Sequence, residues 1–207
     1  MTGSTRPPLT LTRPFRRADI VPMAPPLLKG PFTVESYQRL AELGVLGEDD
    51  RVELIAGQVV AMTPIGDRHA SCVRRVHDLL ARHALERAII DVQNPVVLGR
   101  HDAPQADLAI LQRRADGYPR HPRARDILLV IEVADTTLAY DRDVKIPLYA
   151  RAAIPEAWLV DLGADAITVY RAPRPERYSE VSTVTRVDTL TPLLLPDITI
   201  AVADILG

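Results

Sequence analysis

Two carboxylates stand in stretches that are otherwise apolar and strand-like. Glu132 interrupts the run from Ile127 to Ala134, and Asp107 begins a run that ends at Leu111. A carboxylate in a buried strand is costly unless it is paired, protonated or bound to a cation. If the two strands are neighbours, both side chains can converge on a hard cation, Mg²⁺ or Mn²⁺, which activates water and polarises a phosphate. The pair favours phosphodiester hydrolysis; for each residue, the alternative is a strand end facing solvent or an arginine.

Lys145 is the third candidate for this chemistry. A helix is predicted to begin near Asp141, after the loop that leaves the strand of Glu132. Lys145 lies four residues into this helix, about 6 Å along its axis, so its side chain can reach back to the strand end. There the ammonium could orient an attacking water and offset charge developing on a phosphate. The alternative is an exposed lysine that pairs with Asp141 one turn earlier.

Other residues are candidates for supporting roles. Glu53 lies in a predicted strand, where alternation favours a solvated, outward-facing side chain. His69 opens a predicted helix, a position more typical of a capping or solvated histidine than of a catalytic one. The segment between the two acidic strands is basic, and we interpret it either as a phosphate-binding loop or as an ordinary solvated loop. Its arginines are Arg113, Arg114, Arg120, Arg123 and Arg125.

The apolar pattern predicts an α/β (α+β) fold, a single domain with a mixed β-sheet flanked by helices. A helix is expected over 34–43 with Thr33 as its N-cap, and a hairpin over 52–62 with Ala56-Gly57 at its turn. Periodicity predicts further helices over 67–87 and 141–153. The remaining strands are expected over 88–92, 96–98, 106–111, 127–134, 157–161, 166–171 and 178–184. The last segment, 193–206, is expected to complete the sheet or its edge.

Composition is ordinary for a globular domain, with 207 residues, 47% of them hydrophobic and 25% charged. The longest apolar run, 127–131, is too short to cross a bilayer, and residues 1–30 lack the apolar core of a secretory signal. Cys72 is the one cysteine, which excludes an internal disulfide and a cysteine-based zinc cage. We therefore expect a cytoplasmic protein with no membrane partner.

Charge is unevenly distributed along the chain. Residues 1–30 carry a net charge of +4 and six of the 18 prolines, which predicts a flexible tail that could touch nucleic acid. Residues 31–207, the predicted domain, carry about −6. An acidic body does not favour binding to nucleic acid, because basic surfaces steer proteins onto phosphates.

Several blocks of sequence follow one pattern, namely Gln105 to Ile110, Leu129 to Asp135, Tyr140 to Arg151 and Ile154 to Asp161. Together with the segments 52–59 and 190–206, they resemble the bacterial putative restriction endonuclease family of the PD-(D/E)XK nuclease superfamily. The resemblance covers roughly residues 31–207 and implies a restriction-endonuclease-like core with one metal site. It implies that Asp107 and Glu132 bind the metal, that Lys145 is the catalytic lysine and that Glu53 completes the metal shell. His69 matches a recurrent position near the site, without an assigned role.

Two positions depart from the superfamily pattern. Ala134 stands where a lysine normally follows the glutamate by two residues, and Ala106 stands where a proline precedes the aspartate. The resemblance implies that the lysine has migrated to the following helix. The leading hypothesis is a Mg²⁺- or Mn²⁺-dependent endonuclease acting on DNA, where a homodimer would let two single-site subunits cut two strands. The alternatives are a non-catalytic nucleic-acid-binding or interaction module of the same fold, and a metal-dependent hydrolase of a small phosphorylated substrate.

Overall fold

A six-stranded mixed sheet forms the centre of the computed structural model, which describes residues 26–28, 30–47, 50–84 and 86–207. The strand order is β4-β5-β6-β7-β8-β9, with β6 and β7 parallel and the other neighbours antiparallel. The strands are β4 (Ala88–Val92), β5 (Leu108–Gln112), β6 (Ile127–Ala134), β7 (Glu156–Asp161), β8 (Ala166–Pro173) and β9 (Tyr178–Thr185). The predicted mixed α/β domain is confirmed, and β5 and β6 are neighbours, as the pairing of Asp107 with Glu132 requires.

Strand β6 separates two apolar layers. Leu129, Ile131 and Val133 pack under α2 (Asp67–Ala84) and α5 (Val202–Leu206). Successive side chains of a strand point to opposite faces, so Val130, Glu132 and Ala134 point to the other face. There Val130 and Ala134 pack against α4 (Ile146–Arg151). The burial of both faces explains why this strand is a continuous apolar run apart from Glu132.

The helix that covers this second face is composite. It consists of α3 (Leu138–Tyr140), a π-helical turn (Asp141–Lys145) and α4. A single regular helix over 141–153 is therefore the wrong prediction: the helix begins three residues earlier and widens in its middle. Within the π turn the Ile146 amide bonds to the Asp141 carbonyl five residues back. Pro147 follows directly and has no amide to continue the ladder, which favours a break in helical register at this point.

A second, three-stranded sheet has the order β1-β3-β2. Its hairpin, β2 (Val52–Ile55) and β3 (Gln58–Ala61), turns at Ala56 and Gly57, whose φ angles of 50° and 74° give the primed geometry that hairpins favour. A side chain at Gly57 would also lie 3.1 Å from the Pro31 Cα atom, so glycine is required there. Strand β1 (Pro26–Leu28) pairs with β3, which corrects the expected start of the domain near residue 31. An edge strand accommodates proline because its outer side needs no ladder donor. The rest of the predicted tail, apart from Gly30, lies outside the described residues.

The other elements agree with the sequence in part. Helix α1 (Val34–Glu42) begins at the Thr33 cap as predicted. Within the described residues, 96–98 forms no strand: Val97 makes an isolated bridge with Arg123, and Pro95 just before this segment makes one with Gln105. The C-terminal segment does not complete the main sheet: β10 (Thr189–Leu190) and β11 (Ile200–Ala201) form their own two-stranded sheet. Pro192 and Pro196 interrupt this segment and prevent a longer ladder.

No helix in the described part of the chain combines the length and apolar character needed to cross a membrane.

Candidate active site

A cavity of about 290 Å³ lies where the hairpin, the first turn of α2, the Asp107 end of β5 and the π turn meet. The candidate residues line it together: Glu53, His69, Asp107, Glu132 and Lys145. Each comes from a different element of the chain. The structure therefore places in one cavity all five residues for which the sequence predicted catalytic, metal-binding or accessory roles.

Lys145 is the centre of this arrangement. Its Nζ atom lies 3.2 Å from Glu132 Oε2, 3.7 Å from Glu53 Oε2 and 2.9 Å from the Gln105 carbonyl oxygen, to which it donates. The residue is only 5% exposed. The alternative of an exposed lysine is therefore wrong, and the predicted reach to the strand end is observed.

Glu132 is held from two successive turns of the composite helix. Lys145 donates to one carboxylate oxygen, and the Tyr149 hydroxyl donates to the other. Tyr149 follows Lys145 by four residues, so both side chains lie on one side of the helix. From the sequence we interpret Tyr149 as a packing residue; its spacing from Lys145 is the signal that indicates a polar role.

Glu53 is buried, at 2% exposure, so the solvated alternative for this residue is wrong. Its Oε1 accepts a hydrogen bond from the Tyr140 hydroxyl at 2.7 Å, and its Oε2 accepts one from the Gln105 amide at 3.0 Å. Tyr140 and Lys145 are five residues apart and would point in different directions on a regular α-helix. A π turn brings residues i and i+5 into neighbouring positions, which lets both reach Glu53.

Asp107 lies just before β5 and is fixed by two donors on the same oxygen. Its Oδ2 is 2.9 Å from the Val133 amide and 3.0 Å from His69 Nε2. Burial works to raise the pKa of Asp107, but the hydrogen bond from His69 and the nearby Lys145 ammonium hold that pKa below its ordinary value. Asp107 is therefore ionised at neutral pH.

Asp141 is a cavity residue for which the sequence predicted no active-site role. It starts the π turn and is 4% exposed, and its Oδ2 accepts a hydrogen bond from the Thr137 hydroxyl at 2.5 Å. Burial raises the pKa of Asp141 to about 6, although Lys145 and Thr137 act in the opposite direction. From the sequence, Asp141 is expected only to pair with Lys145 on a regular helix. Helical spacing does not show that these residues form a π turn that faces a cavity.

The cavity carries more negative than positive charge. Burial raises the pKa of Glu132 well above its usual range, and Lys145 offsets this only in part. Burial opposes a charge on Lys145 as well, but the surrounding carboxylates, Glu132 and Glu53 foremost, raise its pKa well above the ordinary value. Lys145 is therefore protonated, and it is the ammonium shared by Glu53, Asp107, Glu132 and Asp141.

Carboxylate and carbonyl oxygens are the ligands that Mg²⁺ and Mn²⁺ prefer, so the chemistry of this donor set fits a hard divalent cation. Among the described residues, however, no three side chains of His, Cys, Asp or Glu already stand as a ready-made metal cluster. Both oxygens of Glu132 are engaged by protein donors, one by Lys145 and the other by Tyr149.

The basic loop does not reach the cavity. It connects the end of β5 to the start of β6, whereas Asp107 and Glu132 lie at the opposite ends of these strands. A five-residue strand separates the two ends by about 17 Å. Some of the loop's charge is locally paired: Arg114 lies 2.8 Å from Asp116 and 3.6 Å from Asp126. The arginines of this loop therefore lie away from the carboxylates, because an antiparallel connection lies at the far end of its strands, and phosphate binding by them stays a prediction; they are Arg113, Arg114, Arg120, Arg123 and Arg125.

Comparison with known proteins adds to this geometry. The model of one family, Uma2, described as "Putative restriction endonuclease", matches residues 34–203. Among solved structures, the fold is similar to that of a putative nuclease belonging to DUF820 from Anabaena variabilis ATCC 29413. The TM-score is 0.68 at 16% sequence identity, over 85% of this chain and 98% of that one. No curated protein matches the chain.

Removal of the shared ammonium should destabilise the protein. Lys145→Met leaves buried carboxylates without a counter-ion, and we expect a loss of about 3–5 kcal/mol in the free energy of unfolding. Glu132→Gln keeps one oxygen that can accept from Lys145, and its amide NH2 can donate to the Tyr149 hydroxyl oxygen in place of the lost acceptor. It removes at most one negative charge, so its loss should be below about 1 kcal/mol. Urea unfolding at pH 8 in EDTA measures both variants. Equal losses for both would show that the charge balance does not govern stability here.

Asp141 should give the stability a distinctive pH dependence. Its pKa rises from 3.8 to about 6 on folding, so the folded state binds the proton more tightly. Its contribution to stability is therefore lost as pH rises from about 4 to about 6, by up to about 3 kcal/mol. Unfolding in EDTA across this range should show a steeper decline for wild type than for Asp141→Asn. Glu180→Gln, on the exposed face of β9, is the control and should follow wild type; parallel curves for wild type and Asp141→Asn would contradict the assignment.

Proposed function

The chain belongs to the Uma2 family, described as "Putative restriction endonuclease", and from this premise we propose that it is a Mg²⁺- or Mn²⁺-dependent endonuclease that hydrolyses phosphodiester bonds of DNA. One observation carries the proposal: Lys145 shares a cavity with Asp107, Glu132 and Glu53, and its ammonium lies 3.2 Å from Glu132 and 3.7 Å from Glu53. This set of oxygen donors and one cation suits phosphodiester hydrolysis.

In this proposal Asp107, Glu132 and Glu53 hold the cation. When bound, the cation polarises the scissile phosphate and lowers the pKa of a coordinated water. Asp107 suits this role because His69 and Val133 hold its carboxylate ionised and oriented. Glu53 suits it because Tyr140 and the Gln105 amide fix both of its oxygens from the protein side.

Lys145 acts as a cation rather than as a base. Its raised pKa keeps it protonated at neutral pH, so it can donate a hydrogen bond but cannot accept a proton. It orients the attacking water and offsets the charge that develops on the phosphate oxygens. Tyr149 and Glu132 keep the lysine in place for this step.

DNA must reach the cavity despite the acidic body of the chain. Arg51 lines the cavity, and Arg68 lies at its edge, 3.1 Å from the lining residue Asp135. These two guanidinium groups are the cations best placed to meet phosphates that flank the scissile bond. A homodimer would bring two such cavities to the two strands of a duplex.

The proposal predicts metal-dependent cleavage. Wild-type protein should cut plasmid or single-stranded DNA with Mg²⁺ or Mn²⁺, and EDTA should abolish the cutting. Asp107→Asn and Glu132→Gln should each reduce the rate by about a hundredfold or more, because each removes a carboxylate that is proposed to hold the cation. Glu180→Gln is the matched control, an acidic residue on the exposed face of β9, and should cut like wild type.

Three other outcomes have clear meanings. Cleavage that survives Asp107→Asn would come from a contaminant and would overturn the mechanism. Retention of DNA by a wild type that cuts with neither metal would indicate the binding module instead. Hydrolysis of a small phosphate ester without cleavage of DNA would indicate a metal-dependent hydrolase of a small phosphorylated substrate.

Lys145 should also compete with the cation. Its ammonium lies on the same Glu132 and Glu53 oxygens that the cation would use, and two like charges at this separation repel strongly. Lys145→Met should therefore bind Mn²⁺ about tenfold more tightly, or better, while losing cleavage; Lys145→Arg keeps the charge and should not bind more tightly. Isothermal titration calorimetry measures both affinities. Weaker binding by Lys145→Met would show that the lysine supports the cation site rather than competing for it.

A further inference from the structure

His69 joins the first turn of α2 to the carboxylate of Asp107. Its Nε2 atom lies 3.0 Å from Asp107 Oδ2, and the side chains of the two residues are 14% and 15% exposed. The same oxygen accepts the Val133 amide from β6 at 2.9 Å. Asp107 is thus tied to a helix on one side and to the central strand on the other.

The other ring nitrogen of His69 shows which role the ring can play. Nδ1 is buried and has no hydrogen-bond partner among the described residues. An ionised carboxylate can only accept, so Nε2 must carry the proton that Asp107 receives. A proton relay through the ring needs a second polar partner at Nδ1, and the described residues supply none. Among the described residues, the hydrogen bond to Asp107 is therefore the one hydrogen bond of the His69 side chain.

We propose that His69 is a positioning residue for the cation site. Its Nε2–H and the Val133 amide occupy the lone pairs of Asp107 Oδ2, which leaves Oδ1 as the oxygen available to a cation. Outer hydrogen bonds of this kind fix the orientation of a ligating carboxylate. The inference rests on the proposed function in that Asp107 is taken as a ligand.

Helix α2 gives His69 a rigid mount. Cys72, Val73, Val76 and Leu80 of this helix are buried against the sheet that carries Val133. The backbone that carries the ring is therefore fixed by packing, and the orientation of Asp107 depends on the packing between α2 and β6.

Two substitutions separate positioning from proton transfer. His69→Gln can place an amide N–H near the position of Nε2, whereas His69→Leu fills a similar volume without a donor. We expect His69→Leu to bind Mn²⁺ about 10–100-fold more weakly by calorimetry. His69→Gln should stay within about threefold of wild type. At saturating Mn²⁺, kcat for DNA cleavage should be nearly equal in the three proteins.

Two controls guard the comparison. His83→Leu, an exposed position on the last turn of α2, should bind Mn²⁺ like wild type. Thermal melting shows whether His69→Leu is folded. If His69→Leu does not fold, His69→Gln still tests the proposal, since His69→Gln should keep wild-type affinity for Mn²⁺.

Several results would overturn the proposal. If His69→Gln binds Mn²⁺ normally but loses kcat as severely as His69→Leu, the ring transfers protons. If both variants bind Mn²⁺ like wild type, or if wild type binds none, His69 does not position a cation ligand. If the affinity pattern is as expected but wild type cuts no DNA, the positioning role stands and the proposed nuclease activity falls.

Discussion

The burial of Lys145 among carboxylates is the constraint on which the rest of the site depends. An ammonium removed from water is costly, and it is retained here because Glu132, Glu53 and the Gln105 carbonyl surround it. Conversely, burial of Glu132 at 1% exposure raises its pKa, and Lys145 and the Tyr149 hydroxyl are the partners that favour its ionised form. The cavity nevertheless keeps an excess of negative charge, because Asp107 and Asp141 line it as well. This excess of negative charge distinguishes the cavity from a buried salt bridge, in which the two charges balance within a hydrophobic core.

Each part of the fold has a definable task in maintaining this cluster. The antiparallel pairing of β5 with β6 brings Asp107 to the end of the strand that carries Glu132. The three-stranded sheet adds Glu53 from a separate layer, and α2 adds His69 from the opposite face. The composite helix supplies Tyr140, Asp141, Lys145 and Tyr149. The cluster is therefore assembled from residues far apart in the chain, and its geometry depends on packing on both faces of one central strand.

The sequence predicted the sheet strands well because strands buried on both faces leave long apolar runs, and β6 has the bounds expected for it. It also identified the carboxylates of Asp107 and Glu132, whose polarity contrasts with their surroundings. Their roles in binding a metal and in catalysis stay predictions. The burial of Glu53 was not predictable, because alternation in a short hairpin does not show which face a second layer will cover. The distance of the arginine loop from the cavity was not predictable for a topological reason: nearness in sequence to two strands does not place a loop at the end of both where the carboxylates lie.

The π turn has a consequence for how this chain can change over time. A π turn is equivalent to one residue inserted into an α-helix. Deleting one residue between Tyr140 and Lys145 would restore a regular helix in which these two residues are four apart, a spacing that also makes them neighbours. Lys145 and Tyr149 would then keep their direction toward Glu132. If the turn instead became regular helix without a deletion, every side chain after it would rotate by about 100° relative to those before it. Helical phase is thus an inherited property of the site in its own right: a descendant could shorten this helix by one residue and keep the convergence, or retain every polar residue of the cavity and lose it.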